Sequence, residues 1–370
     1  MSFPDKPVAH LLGANGPIHA VTYSASPGTY ILTGSSDRSV RLYNPAPSTS
    51  ARPSSTFITK QNTEAAAKPI IPEGRLIQTY AAHGYEVLSL AVAGDNARFA
   101  SAGGDRAVFL WDVATAQTLR RFSGNGVHGH SSRVNCVAFG GADDSLVVSG
   151  GFDTTVRVWD TRSGGTGGGK PVQVLNEARD AVAALVVRDA EIVAGSVDGR
   201  VRSYDVRMGR VTTDVIGASV TSLCLTRDGR AALVGSLDSK VRLMDRESGE
   251  CLKTYADAGW RNEELRVQSV LGGKEKFIVA GDEMTAVNGE PVGNNGRLWA
   301  WDLLSGKLVA KVSVPWGPSG SDARKKVVGR DGKEKERKNV VSCVAWRDSG
   351  WGDQFCVGGT SGTVTVFGSL

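Results

Sequence analysis

Twice in this chain a serine, a histidine and an aspartate recur as the residue types of a hydrolase triad. Ser101 and Asp105 precede Trp111, Ser149 and Asp153 precede Trp159, and a Gly/His turn lies upstream of each set, at His83 and His130. A serine deprotonated by a histidine, itself oriented by an aspartate, performs nucleophilic acyl transfer. That chemistry needs one nucleophile, whereas this set repeats. It also degrades elsewhere, since the related stretches around Asp198 and Asp238 have no histidine. The repetition favours a structural network, in which a turn aspartate accepts hydrogen bonds from a histidine that is linked in turn to serine and tryptophan.

Three further signals dissolve in the same way. Asp198 and Asp205 stand seven positions apart in "AGSVDGRVRSYDVRMG" (194–209), the spacing of a turn residue and a strand end. "GGTGGGK" (164–170) has the spacing of a phosphate-binding loop, but Pro171 follows where Ser or Thr should reach Mg²⁺. It reads as a Gly linker. His128 and His130 form H-x-H with no third ligand pattern nearby. The expectation is therefore no catalytic residue, no metal and no cofactor.

The elements that hold these residues repeat as well. "TGSSDRSVRLYN" (33–44), "SAGGDRAVFLWD" (101–112), "SGGFDTTVRVWD" (149–160), "AGSVDGRVRSYD" (194–205) and "VGSLDSKVRLMD" (234–245) share one template. Small residues lead to Asp (Asp37, Asp105, Asp153, Asp198, Asp238), then a turn, then alternating Val and polar residues to an aromatic or Met. A sixth copy is split between "VAGDE" (279–283) and "NNGRLWAWD" (294–302), and a seventh is "GGTSGTVTVF" (358–367). With insertions at 45–74, 164–170, 284–294 and 317–338 removed, the period is roughly 43 residues, within the range of propeller repeats. Alternating strands such as "VNCVAF" and "VSCVAW" precede each template. A single four-stranded sheet of this size cannot bury both faces, so the units must stack in a ring. The prediction is an all-β, seven-bladed propeller in one domain, with the N-terminal "PVAHLLG" supplying the outer strand of the last blade and closing the ring.

Bulk composition agrees. Gly makes up 46 of 370 residues, fitting a chain of many turns. Net charge is +5, yet "DARKKVVGRDGKEKERK" (322–338) alone carries eight Lys/Arg against four Asp/Glu. The remainder is nearly neutral, which argues against a broad nucleic-acid face. The cysteines (Cys136, Cys224, Cys251, Cys343, Cys356) are odd in number and never form C-x-x-C. That pattern supports neither a disulfide framework nor zinc, and Cys136 and Cys343 read as small core filler. With no apolar signal core or membrane span, the expected location is cytosol, nucleus or both.

Function then rests on surfaces. Residues 45–74 hold five of the thirteen prolines and many Ser/Thr, and read as a disordered excursion on one face. The basic insertion (Lys325, Lys326, Arg330, Lys335, Arg337) leaves from the opposite face. It is either a solvated loop or a docking element for an acidic partner or, indirectly, RNA. Tyr85, Arg133, Phe152, Arg179 and Trp260 sit in loops on that same face and are candidate interface anchors. An enzyme would need a unique polar cluster in the axial channel, whereas the inner strands read as Ala, Ser, Cys and Val.

"VFLWD", "VRVWD" and "LWAWD" resemble the WD40 family over essentially the whole chain outside the insertions. "NEARDAVAALVVRDAEIVAGSVDGRVRSYDVRMGR" (176–210) is similar to the scaffold family of the mitogen-activated protein kinase organizer. The resemblance implies a monomeric, non-catalytic scaffold within larger assemblies, nuclear and cytoplasmic, whose partners are splicing factors and kinase-cascade components. Its long insertions depart from that family's compact pattern. Arg162 in "VWDTR" and Arg207 in "YDVR" resemble the motif by which WD40 substrate receptors dock onto cullin-RING ubiquitin ligases, an alternative partner class.

Overall fold

The computed structural model describes residues 3–47, 71–123, 128–162, 169–284, 295–318, 326–328, 334–336, 338–347 and 352–368. Seven four-stranded antiparallel sheets follow one another around an axis. Blade two is representative: inner strand Val87–Val92, second strand Arg98–Gly103, third strand Val108–Asp112 and outer strand Thr118–Phe122. The alternating "VFLWD" pattern buries Val108, Leu110 and Trp111 against the blades on either side. The last blade takes its outer strand, Pro7–Leu11, from the N-terminal end of the chain, paired antiparallel with Val364–Gly368. The ring is therefore closed by main-chain pairing, as expected. Phe3 adds a plug, packing against Phe277, Trp346 and Phe355 between blades six and seven.

Core clusters sit between neighbouring blades. Leu32, Val40 and Tyr80 of blade one, for example, meet Val87, Phe99 and Trp111 of blade two. The small residues of the template permit this approach. A Cβ at Gly150 would lie 2.6 Å from Val182 Cγ1 on the next blade's inner strand, and one at Gly195 would lie 2.6 Å from Val220 Cγ1. Glycine there lets one blade's inner valine seat against its predecessor, and close packing of that kind is how interiors reach their density.

Two insertions differ from expectation at their edges. The third strand of blade one runs Ser39–Pro47 and pairs with Gly74–Ala81, so residues 45–47 and 74 belong to the sheet. The ends of the excursion are thus paired main chain, and residues 48–70 lie outside the described ones. The basic insertion contains an antiparallel hairpin, Lys326–Val328 with Glu334–Glu336, rather than loop throughout. Lys326 and Lys335 stand on its strands, while Lys325, Arg330 and Arg337 lie outside the described residues, as do 163–168 and 285–294. Lys170 is followed by the outer strand Gln173–Leu175 instead of the helix that a phosphate loop requires.

Candidate docking groove between blades two and three

The triad-like residues do meet. His83 Nδ1 lies 2.8 Å from Asp105 Oδ2, His83 Nε2 lies 2.6 Å from Ser101 Oγ, and Trp111 Nε1 donates to Ser101 Oγ at 2.8 Å. Blade three repeats the set: His130 Nδ1 to Asp153 Oδ1 at 2.9 Å, Nε2 to Ser149 Oγ at 2.8 Å, and Trp159 Nε1 to Ser149 Oγ at 2.8 Å. With indole N–H donating to serine, the serine O–H donates to Nε2, and Nδ1–H donates to the carboxylate. That is the proton order of a triad. Both serines, however, are wholly buried, so no acyl group can reach either Oγ. The set ties the loop entering each blade to the turn between its second and third strands. Burial pushes the Asp105 carboxyl up, but the His83 hydrogen bond and the Gly84 and Ala107 N–H groups outweigh it and hold it below the usual range.

Blades one, four and five do the same job differently. Arg41, Arg202 and Arg242, four residues after Asp37, Asp198 and Asp238, pair with them through their Nη2 atoms. Each Nη1 donates to a serine two residues before the aspartate: Ser35 at 3.1 Å, Ser196 at 2.9 Å and Ser236 at 2.7 Å. In blades two and three the position of that serine is glycine. At Gly151 a Cβ would lie 2.6 Å from His130 Nδ1, so glycine makes room for the imidazole. Asp37 and Asp198 are held at about 2: burial opposes ionisation, and the arginine and serine hydrogen bonds overcome it. Asp205, the other half of the 194–209 pair, accepts the backbone N–H of Arg207 and Met208 and closes a turn.

With those groups engaged, one open groove stands out, about 1020 Å³ between blades two and three. Tyr85 (62% exposed) and Phe152 (49% exposed) line it with Arg106, Arg121, Arg133 and Glu86. The Arg133 guanidinium lies 4.7 Å from the Phe152 ring centroid, and Arg121 lies 5.5 Å from that of Phe109. Three of the predicted anchors, Tyr85, Arg133 and Phe152, thus converge. Arg179 is exposed one blade further on, its backbone N–H held by Asp198. Trp260 is not an anchor: it is 1% exposed, its Nε1 donating to Gly281 O at 2.7 Å and its ring edge-on to Trp301. An indole with a main-chain acceptor in its own blade has every reason to turn inward.

The channel also departs from expectation. Beside Cys136 and Cys343, both buried and with thiols raised by burial to about 11 and about 12, it holds His19, Asn135, Arg266 and Gln268. On the opposite face, Arg162 is 74% exposed with Nε 3.5 Å from Asp160, and Arg207 is exposed one blade along.

Seven such blades, five of them bound by Asp-centred turns and the ring closed by an N-terminal strand, define a WD-repeat propeller. The family described as "WD domain, G-beta repeat" matches residues 5–44, 74–112 and 120–160. The chain is 37% identical over 311 residues to WD repeat domain-containing protein 83 of Rattus norvegicus, covering 84% of this chain and 83% of that protein. The Homo sapiens protein of the same name is 37% identical over 314 residues, covering 85% and 84%. The Dictyostelium discoideum homolog is 27% identical over 327 residues, covering 81% and 86%. The chain belongs to the family of WD repeat domain-containing protein 83.

Proposed function

We propose that this protein is a non-catalytic scaffold that docks partner proteins through the groove between blades two and three. One contrast carries the reading. The repeated Asp, His, Ser and Arg groups are engaged within their blades, whereas Tyr85, Phe152, Arg106 and Arg133 face solvent together. Aromatic and arginine side chains on one rim are the residue types that dominate binding energy at interfaces. Similarity to the kinase-organizer scaffolds supports splicing factors and kinase-cascade components as the partners, in nucleus and cytoplasm. The test is affinity purification from nuclear and cytosolic extracts with mass spectrometry. Spliceosomal or kinase-cascade proteins that vanish with a folded Arg133→Glu/Phe152→Ala variant support the reading, and recovery that ignores those substitutions contradicts it.

A second reading has its own observation: Arg162 and Arg207 are exposed at matching turns of adjacent blades. It assigns that face to a cullin-RING adaptor. Recovery of such an adaptor, lost on Arg162→Ala/Arg207→Ala, is its expected signature.

A further inference from the structure

Arg266 enters the axial channel just before the inner strand of blade six, Ser269–Gly272, and reaches across to blade three, where Nη1 donates to Asn135 O at 2.8 Å. Its Nε is sealed from solvent and has no hydrogen-bond partner among the described residues. Burial disfavours its charge, nearby Arg133 repels it, and the groups beside it that would favour the charge if ionised are two thiols, Cys136 and Cys343. Those thiols are raised to about 11 and about 12, so they are neutral at physiological pH and cannot serve as counter-ions. A guanidinium sealed at one nitrogen, with no carboxylate in contact among the described residues, is an incomplete electrostatic arrangement.

The space it faces has matching chemistry. A cavity of about 180 Å³ is lined by Arg266, Arg133, His19, Asn135, Gln268 and Ser342, with no carboxylate among the described lining residues. Gln268 Oε1 already accepts from Val344 N at 3.3 Å, so the amide NH₂ is the polar group it has left to offer. Arg133 lines both this cavity and the outer groove, so the channel mouth continues into the groove.

We propose that the channel mouth is an anion site, in which Arg266 and Arg133 take one oxyanion group, a carboxylate or a phosphoryl. Two arginines lining one small volume supply the residue type suited to forked recognition of such groups. The site shares Arg133 with the outer groove but is centred on Arg266, and it stands whether or not the groove binds splicing or kinase-cascade proteins.

The full chain is titrated, at constant ionic strength, with sodium phosphate and separately with a blocked tetraglutamate peptide, and binding is read by calorimetry. Saturable 1:1 binding of either probe that weakens about tenfold or more in Arg266→Gln, but not in Arg210→Gln on an exposed outer strand, is the expected result. Binding of phosphate points to a phosphoryl source, and binding of the peptide alone points to a chain-borne carboxylate. Failure of both probes, or binding unchanged in Arg266→Gln, overturns the proposal. A second readout needs no variant. His19 feels Glu86 and Arg266 and titrates below its ordinary value, chiefly through burial. A bound oxyanion beside it moves the His19 NMR titration to higher pH. A His19 titration unmoved by a saturating probe overturns the proposal even if Arg266→Gln fails to fold.

Discussion

Blades two and three solve the same problem as blades one, four and five with different side chains, and the difference decides where the surface is free. In blades one, four and five an arginine four residues after the turn aspartate closes the blade, and its charge is neutralised there. In blades two and three a histidine does that work between aspartate and serine. The position of Arg41 becomes Phe109 in blade two, a ring on which Arg121 stacks. Blade three keeps Arg157 but directs Nη1 to His128 O. Arg106, Arg121 and Arg133 are left to face the groove. A propeller of similar blades acquires one distinctive rim by changing which residue holds the turn.

Removing the centre of a histidine network should have the largest effect. Asp153→Ala leaves His130, Ser131 N and Thr155 without their acceptor and is expected to destabilise by about 3 kcal/mol, read as a lowered urea midpoint. Next comes the steric element of the contrast. Gly151→Ser forces a Cβ toward His130 and Asp153, with an expected cost of about 2 kcal/mol. The reciprocal Ser196→Gly in blade four creates no clash and removes a hydroxymethyl group whose oxygen is shared by Arg202, Asp198 and Arg200 O, for about 1 kcal/mol. Equal losses from the two serine–glycine exchanges would mean that the two network types are interchangeable. Phe152→Ala lies on the exposed rim, so stability should move by less than about 0.5 kcal/mol.

The smallest effect is a reversal of sign with pH. Asp198, at about 2, contributes stability that is present above the ordinary aspartate value and lost as pH falls through about 2. Asp282 in blade six is raised by burial, which outweighs the bonds from Trp299 and Met284 N. Its contribution is greatest at low pH and is lost as pH rises through its folded value. Carboxyl NMR titration should show Asp282 titrating above Asp198, and the reverse order would contradict this assignment.

The ring was readable because seven copies of one template share a period, the first five with a turn aspartate, and main-chain pairing follows from that pattern. Tyr85, Arg133 and Phe152 were readable as neighbours on one face because strand direction alone places those loops together. Trp260 reads as a candidate anchor from its loop position, since nothing local announces that its indole N–H has an acceptor in Gly281. The arginine closures were written as Asp-x-x-x-Arg in "DRSVR", "DGRVR" and "DSKVR", a spacing that brings the two side chains together across a two-residue turn. Arg266 was invisible: its contact with Asn135 spans 131 residues and exists only once the ring has closed.

The docking proposed above places partners on the rim of blades two and three. Amide hydrogen exchange on a purified complex with a recovered partner tests it most directly. Slowed exchange at residues 84–86, 104–106, 131–133 and 152, relative to the free chain, is the predicted result. Unchanged exchange there, with protection confined to the turns at Arg162 and Arg207, would contradict it.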